Sequence, residues 1–372
     1  MAWENTEVIT IPTTLLPADG RFGSGPAKIR PEALDYLALR GDLLGTSHRQ
    51  APVKQLVAAV QEGLAELYQL PDGYEVVLGN GGSTVFWDVA VCSLIERRSA
   101  HAVFGEFTRK FAVAAAKAPF LAEPVVTEAA PGEVALPEPD DADVVAWAQN
   151  ETSTGAAAPV QRIGDGLNLV DATSSAGGMV ADIAATDAYY FAPQKNFSSD
   201  GGLWLAFCSP AALERASRIA ASGRWIPESL NLEVAAHNSR KHQTLNTPAL
   251  ATLLLLEDQI NWLLSLGGIA AAEARCRAMT NHLYRWAEAS EFATPFVADP
   301  AHRSPVVATI DLTPEVDAAH VIAELRAAGV VDIDPYRALQ RNQLRIGTYA
   351  SVDLADVEAL TECIDYVVSA TA

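Results

Sequence analysis

The chain has 372 residues, 49% of them hydrophobic, and carries 46 acidic against 26 basic residues, a formal net charge of −20. This length predicts two domains with a large buried core. The net negative charge argues against a surface that binds nucleic acid or anionic membranes, and the acidic residues are spread along the chain rather than gathered in a tail. If the substrate is an anion, it must therefore bind where the few arginines are concentrated. Four cysteines without a CxxC pair, and no apolar run long enough to span a membrane, predict a reduced, cytoplasmic protein without disulfides or a metal site.

The first part of the chain alternates between helix and strand patterns. Helices are predicted at residues 31–39 and 52–70, with the polar loop GDLLGTSHRQA between them. From Glu75 onward, short and nearly all-apolar runs predict strands covered on both faces, and helices are predicted at residues 84–96 and 105–118. The predicted strands are EVVL, AHAVF, DVVAWA, LNLVD, DAYYF and LWLAF. This alternation favours an α/β fold with a mostly parallel sheet.

The last third of the chain is first helical and then mixed. Helices are predicted at residues 248–264 and 269–289, followed by a β-α-β-α tail formed by PVVATIDL, DAAHVIAELRAAGV, QLRIG and a final helix. This tail predicts a smaller α+β domain. The predicted division is an N-terminal segment at 1–25 that packs with the small domain, a large cofactor-binding domain at 26–267 and a small domain at 268–372.

Polar residues follow several of the predicted strands. In open parallel sheets, ligands bind at the carboxyl ends of the strands, so these residues predict one crevice. Asp171 ends the strand LNLV, and Lys195 follows the strand DAYYF about one β-α-β step later. This pair suits pyridoxal phosphate, because a lysine can bind its aldehyde and a carboxylate can keep its ring nitrogen protonated. A structural Asp–Lys ion pair is an equal alternative at this point.

The segment GNGGST precedes a predicted helix and can cradle a phosphate with backbone N–H groups. It lacks the lysine of a P-loop, so an ordinary tight turn with a Ser or Thr helix cap is the alternative.

A set of motifs in fixed order extends over nearly the whole chain, from about Gly23 to Tyr349. These motifs are FGSGPAKI, GTSHRQ, NET, VDATSS, APQKN, LNTPA and LRIGTY. In this order they resemble the phosphoserine aminotransferases, a branch of the class V pyridoxal-phosphate aminotransferases, and the actinobacterial members most closely. The resemblance implies an aspartate-aminotransferase-like fold, pyridoxal 5′-phosphate as cofactor and a homodimer with composite active sites. It also implies amino transfer from glutamate to 3-phosphooxypyruvate, which gives O-phosphoserine and 2-oxoglutarate.

The resemblance further implies roles for individual residues. Lys195 matches the lysine that forms the Schiff base, and Asp171 matches the partner of the ring nitrogen. The other implied cofactor contacts are Ser83, Thr84, Phe107, Thr152, Gln194, Asn246 and Thr247. His48 and Arg49 match contacts to the substrate phosphate, and Arg345 matches the residue that binds the α-carboxylate. The last two cofactor contacts and both phosphate contacts would come from the other subunit.

Some of these residues also have ordinary structural explanations. Phe107 can be a core residue, and His48 can be a hydrogen-bonding residue of its loop. Asn246 and Thr247 precede Pro248, which makes them suitable for capping a helix, and this function is compatible with cofactor binding.

Two departures from the family pattern concern the substrate phosphate. Many members carry Gly-His-Arg ahead of the carboxylate-binding arginine, whereas this chain has PYRALQRNQLR, so Arg337 or Arg341 can substitute. Ser83 stands where other branches have an arginine.

Two other functions are alternatives: a related aminotransferase acting on alanine or serine and glyoxylate, and a cofactor-binding regulator without activity. His48 with Arg49 argues against the first, and the intact catalytic set argues against the second.

Overall fold

The structure of the protein is a computed structural model that describes residues 9–371. Residues 1–8 and 372, which belong to the predicted first and last segments, lie outside the described residues. The strands within the described part are β1 (Glu75–Asn80), β2 (Ser99–Val103), β3 (Val125–Glu128), β4 (Val144–Ala148), β5 (Asn150–Glu151), β6 (Ala156–Ala157), β7 (Leu167–Asp171), β8 (Ala188–Phe191), β9 (Leu203–Cys208), β10 (Ala293–Pro295), β11 (Val307–Leu312) and β12 (Gln343–Gly347).

The helices flank these strands along the chain. They are α1 (Pro31–Leu39), α2 (Ala51–Tyr68), α3 (Ser83–Ser93), α4 (Glu106–Ala116), α5 (Pro210–Ala221), α6 (Leu232–Ser239), α7 (Leu250–Ser265), α8 (Ile269–Ala289), α9 (Ala318–Ala327) and α10 (Leu354–Thr371). Within residues 9–371, none of them is long and apolar enough to cross a membrane.

A seven-stranded sheet in the order β1-β9-β8-β7-β4-β2-β3 carries the site described below. Strand β9 pairs antiparallel with β1 and β8, whereas the other pairs are parallel, so the prediction of a mostly parallel sheet is confirmed. Strands β4, β7, β8 and β9 are buried along their whole length, as their all-apolar runs predict. Strand β3 was not predicted, because its residues alternate between half-buried and exposed positions at the sheet edge.

Helices cover both faces of this sheet. Val60 of α2 and Leu253 of α7 belong to the core on one face. Phe86 of α3 and Phe111 of α4 belong to the core on the other face, together with residues of α5 and α6. The sequence analysis predicted neither α5 nor α6. The missed signal for α5 is the N-cap, since Ser209 accepts a hydrogen bond from the Ala212 N–H and is followed by a proline at the first helical position.

A second, three-stranded antiparallel sheet in the order β10-β11-β12 forms the centre of the C-terminal part. Its core is shared with α8, α9 and α10. Thr10 and Ile11 contact this part of the chain, since the Tyr366 hydroxyl donates to the Thr10 carbonyl at 3.3 Å and Ile11 belongs to the same core. Cys276 of α8 belongs to the core of the large sheet, whereas Met279 belongs to the core of the small sheet. The domain boundary near Gly267-Gly268 stays a prediction.

Candidate active site

A cavity of about 200 Å³ opens where the carboxyl ends of β4, β7 and β8 meet the beginning of α3. It includes many of the residues predicted from the sequence. The lining residues are Gly82, Ser83, Thr84, Trp87, Phe107, Ala148, Asn150, Thr152, Asp171, Thr173, Ser174, Gln194 and Lys195. Parallel strands bring their carboxyl ends to one edge of a sheet, and this explains why segments far apart in sequence converge here.

Asp171 is the last residue of β7 and is buried. Its Oδ1 accepts hydrogen bonds from the Thr173 N–H at 2.9 Å and the Thr173 hydroxyl at 2.5 Å, and its Oδ2 accepts one from Trp87 Nε1 at 3.1 Å. Burial raises the pKa of Asp171, and the hydrogen bonds from Thr173 and Trp87 oppose this rise. The carboxylate is therefore held by neutral donors at a cavity wall.

Lys195 follows β8 and is partly buried in the same cavity. Its Nζ donates to the Ser24 carbonyl at 2.7 Å, and the Tyr349 hydroxyl donates to the same oxygen at 2.7 Å. Burial lowers the pKa of Lys195 to about 8, the charge of Arg345 lowers it further, and Asp171 opposes the change. A Cβ atom on Gly25 would lie 1.8 Å from Nζ, so only glycine leaves room for this amine.

The segment GNGGST ends β1 and begins α3, with Gly82 as N-cap residue and no side-chain cap hydrogen bond. The first N–H groups of a helix lack intrahelical partners, and the helix dipole favours an anion there. Ser83 and Thr84, in the first turn, line the cavity, and the Ser83 hydroxyl lies 2.7 Å from the Thr173 hydroxyl. This end of the cavity suits a phosphate group.

Phe107 lies in the first turn of α4 and is half-buried against the cavity. Its position depends on Glu151, a fully buried carboxylate that accepts hydrogen bonds from the Phe107 N–H at 3.1 Å and the Thr108 N–H at 2.9 Å. Burial raises the pKa of Glu151, and hydrogen bonds from Ser153 and Thr108 oppose this rise. A carboxylate at a helix N-terminus is electrostatically favourable, so Glu151 fixes the start of α4 and the ring that it carries.

Thr152 joins the first cavity to a second one. Its hydroxyl donates to the Ser174 hydroxyl at 2.8 Å, and its carbonyl accepts a hydrogen bond from Arg345 at 3.4 Å. Arg345, on β12, lines the second cavity with Tyr336 and Arg337, and its guanidinium lies 5.3 Å from the Tyr336 ring centre. Burial lowers the pKa of Arg345, which remains cationic at neutral pH.

The remaining predicted residues lie apart from the Lys195 cavity of the same chain. His48 Nδ1 is 3.2 Å from the Thr247 hydroxyl, and the Thr247 carbonyl accepts a hydrogen bond from Asn80 Nδ2 at 2.9 Å. Burial lowers the pKa of His48, and the charge of the exposed Arg49 lowers it further. His48 therefore contacts Thr247, and none of His48, Arg49, Asn246 and Thr247 lines the Lys195 cavity.

A family model described as aminotransferase class-V matches residues 125–333, a span that includes Asp171 and Lys195. The chain belongs to this family. A class-V relative from Rhodococcus jostii, named phosphoserine aminotransferase, is 56% identical over 369 residues, which cover 98% of this chain and 99% of the relative. A relative from Mycolicibacterium vanbaalenii, for which the same activity is named provisionally, is 59% identical over 366 residues, covering 97% and 99%.

Solved structures of class-V aminotransferases share the fold. A phosphoserine aminotransferase from Cytophaga hutchinsonii is 22% identical, with a TM-score of 0.86 over 93% of this chain and 99% of that chain. An alanine–glyoxylate aminotransferase from Nostoc is 18% identical, with a TM-score of 0.81 over 99% and 100%. At these identities the similarity confirms the predicted fold class, but it does not separate one class-V activity from another.

Sequence reasoning missed several residues of this class-V site. Thr173 follows Asp171 in the motif VDATSS, so its adjacency to a strand end was the available signal. Trp87 lies four positions after Ser83, and residues at this spacing share one helix face, so a helical projection of α3 would have found it. Ser24 belongs to the motif FGSGPAKI, but nothing in that motif indicates that its carbonyl meets Lys195.

Proposed function

We propose that this protein is a phosphoserine aminotransferase of serine biosynthesis. It transfers the amino group of glutamate reversibly to 3-phosphooxypyruvate, giving O-phospho-L-serine and 2-oxoglutarate. The observation that carries this proposal is the meeting of Lys195 and Asp171 in one cavity of a class-V aminotransferase chain. The near-full-length identity to relatives named phosphoserine aminotransferase supports this substrate over glyoxylate.

The residues of the cavity fit pyridoxal 5′-phosphate as the cofactor. They offer an amine for its aldehyde, a carboxylate for its ring nitrogen and a helix N-terminus for its phosphate. Gln194 also lines the cavity, and because its Oε1 has no hydrogen-bond partner among residues 9–371, its amide can turn its N–H groups towards the cofactor without losing a hydrogen bond of that oxygen. When bound, this cofactor supplies an electron sink for the charge that develops at the substrate Cα.

Each residue then has a physical task. Lys195 would hold the cofactor through its aldehyde and, with its amine free, would move the proton at the substrate Cα, for which a pKa of about 8 is well suited. Asp171 would keep the ring nitrogen protonated, and Phe107, which lines the cavity, would exclude water from the ring. The Thr152 hydroxyl, which donates to Ser174, would turn towards the phenolic oxygen of the ring. The planar guanidinium of Arg345 binds the α-carboxylate with two parallel hydrogen bonds.

Of the two arginines that precede Arg345, the contacts favour Arg337 as the additional phosphate contact. Arg341 Nε donates to Asp311 at 3.1 Å, and its guanidinium lies 4.3 Å from the ring centre of Phe296, so its side chain is already engaged. Arg337 lines the same cavity as Arg345. Replacing Arg337 with Gln should therefore raise the KM for O-phosphoserine more than the same change at Arg341.

We further propose a cytoplasmic homodimer in which each active site is composite, and each chain divides near Gly267-Gly268. The group of His48, Arg49 and Thr247 lies outside the Lys195 cavity of its own chain, which supports a position in the partner's site.

The reaction is tested with purified enzyme loaded with cofactor. O-phosphoserine and glutamate should each discharge the yellow absorbance of the loaded enzyme, whereas alanine and serine should do so far more slowly. Formation of O-phosphoserine from 3-phosphooxypyruvate and glutamate completes the test. Rapid discharge by alanine, with no response to O-phosphoserine, would contradict the proposal and favour a glyoxylate-dependent class-V activity.

The composite site is tested with mixed dimers of two inactive variants, Arg49→Ala and Lys195→Ala. Random re-association makes half of the dimers hybrids, and each hybrid has one complete site of two. Activity should therefore recover to about a quarter of the wild-type level. If hybrids form without recovery, Arg49 does not act across the interface.

A further inference from the structure

Both oxygens of the Asp171 carboxylate accept hydrogen bonds. Each oxygen of an ionised carboxylate accepts about two hydrogen bonds. Oδ1 accepts two, both from Thr173, and Oδ2 accepts one from Trp87. Burial raises the pKa of Asp171, and a smaller contribution from the Tyr190 hydroxyl joins these donors in opposing this rise. Because Asp171 and Trp87 both line the cavity, the carboxylate is accessible there to an N–H donor from a bound molecule.

The Thr173 hydroxyl has one hydrogen and two oxygen neighbours. It lies 2.5 Å from Asp171 Oδ1 and 2.7 Å from the Ser83 hydroxyl. An ionised carboxylate can only accept, so the hydrogen of Thr173 points to Asp171, and Ser83 donates to Thr173. The Thr173 hydroxyl, the Thr173 N–H and the Trp87 indole thus stabilise the ionised form of Asp171, with a smaller contribution from the Tyr190 hydroxyl.

Packing fixes the direction of the Trp87 donor. The side chain is 4% exposed, and its ring is stacked on Phe111 with 6.2 Å between ring centres and an interplanar angle of 12°. The indole N–H is therefore held towards Oδ2 whether or not a ligand is present. Thr173, by contrast, has a hydroxyl that can rotate between two partners.

We propose that Trp87 is a positioning residue that holds the Asp171 carboxylate ionised and oriented, so that the shared proton stays on the ring nitrogen of the bound cofactor. In a site without water, the competing state is a neutral carboxylic acid beside a neutral ring nitrogen. This neutral pair becomes more populated when the carboxylate loses hydrogen-bond donors. The inference rests on the proposed function only in requiring a cofactor with a basic ring nitrogen.

The first experiment uses the cofactor-free protein with 15N-labelled tryptophan. The indole signal that disappears in Trp87→Phe belongs to Trp87, and in the wild type it should shift as Asp171 takes up a proton. The titratable groups near Trp87 and Asp171 include Tyr189, Tyr190, Lys195 and His101, whose ring meets Phe111 edge-on with 4.9 Å between ring centres. Burial raises the pKa of both tyrosines, lowers the pKa of Lys195 to about 8 and lowers that of His101 to about 3. A transition below neutral pH that Asp171→Asn abolishes therefore reports Asp171, whereas one that persists in Asp171→Asn reports His101.

The second measurement follows the Asp171 carboxyl carbon with 13C-labelled aspartate. In Trp87→Phe, the proton affinity of Asp171 should rise about tenfold, because a hydrogen bond to the charged form is lost. Trp204→Phe is a matched control, since Trp204 is 1% exposed and its Nε1 has no hydrogen-bond partner among the described residues. An unchanged affinity in Trp87→Phe, or an equal rise in both variants, would overturn the proposal.

The third measurement uses enzyme loaded with cofactor that is 15N-labelled at the ring nitrogen. The nitrogen signal of Trp87→Phe should move towards the neutral form, while that of Trp204→Phe should keep the wild-type value. Trp87→His, which restores an N–H donor, should return part of the shift. A wild-type signal in Trp87→Phe would refute the inference. None of these measurements uses an amino-acid substrate, so an enzyme that binds cofactor but fails with O-phosphoserine would refute the proposed substrate and leave the Trp87 test intact.

Discussion

Replacing Lys195 with methionine should stabilise the cofactor-free protein at neutral pH. Burial lowers the pKa of Lys195 from 10.5 to about 8, so the ammonium form is less stable in the folded chain than in the unfolded chain. The difference corresponds to about 3 kcal/mol at roughly 1.4 kcal/mol per pH unit. This is an upper value, because the cavity gives the ammonium some contact with water.

The two pKa values of Lys195 determine how the stability gain of Lys195→Met changes with pH. Since the folded pKa lies below the unfolded pKa, the unfolded chain binds the proton more tightly. The destabilisation is complete below about pH 8, fades as the pH rises and disappears above about 10.5. Lys195→Met should therefore raise the free energy of unfolding at pH 7 by up to about 3 kcal/mol, and this gain should shrink strongly by pH 10.

The assay is urea unfolding of both proteins at one protein concentration, because association shifts apparent stability. Methionine retains the length of the side chain, and the Ser24 carbonyl still accepts its hydrogen bond from Tyr349. Lys28→Met is the matched control. Its ammonium lies 3.5 Å from the buried Asp356 and 3.6 Å from Asp19. Asp19 would keep its pairing with Arg21, so this substitution should destabilise the protein by leaving the Asp356 carboxylate without its cation.

A loss of stability in Lys195→Met at pH 7, or an equal gain at both pH values, would refute the reasoning.

The functional counterpart is the fraction of neutral amine, the form that attacks an aldehyde. A pKa of about 8 makes this fraction a few hundred times larger at pH 7 than a pKa of 10.5 does. The cofactor-free enzyme should accordingly capture pyridoxal phosphate at a rate that rises with a midpoint near pH 8.

Three further substitutions test the site. Asp171→Asn should keep the melting temperature near the wild-type value but lower kcat by orders of magnitude, because an amide cannot support a charged ring nitrogen. A near-normal kcat would mean that Asp171 has only a structural role. Arg345→Ala should raise the KM of O-phosphoserine and of glutamate alike, since both carry an α-carboxylate, and an effect on one alone would exclude this function. Gly105→Ala would place Cβ 2.2 Å from Glu151 Cγ and should lower the melting temperature by several degrees. An unchanged melting temperature in calorimetry would contradict this prediction.

Four strands of the large sheet that were predicted correctly share one physical property. Strands buried on both faces leave continuous apolar runs, so β4, β7, β8 and β9 were visible in the sequence. Strand β3 has one exposed face and only four residues, and α5 and α6 lie in a stretch whose helix caps were overlooked. In each case the missing information was local, and a stricter use of capping and alternation rules would have supplied part of it.

The site was predictable where its residues follow strand ends, because the sheet brings such ends together. Lys195, Asp171 and Thr152 line the cavity for this reason. The Ser24 carbonyl could not be predicted, since it belongs to a segment 171 residues away from the amine that it contacts. The proposed contribution of Arg49 would depend on a second chain, and the folding pattern of one chain carries no information about that contact.

The motif LRIGTY combines two effects on the same amine. Burial lowers the pKa of Lys195 most, and the charge of Arg345, near the beginning of the motif, lowers it further. Tyr349, at the end of the motif, donates a hydrogen bond to the Ser24 carbonyl, which also accepts the hydrogen bond of Lys195. If Arg345 binds the substrate carboxylate, as proposed, its charge is neutralised and the pKa of Lys195 should rise when substrate is present. The amine would then be least basic when it attacks an aldehyde and more basic when it takes the proton from Cα. In the proposed mechanism, β12 would thus link carboxylate recognition to proton transfer at Lys195.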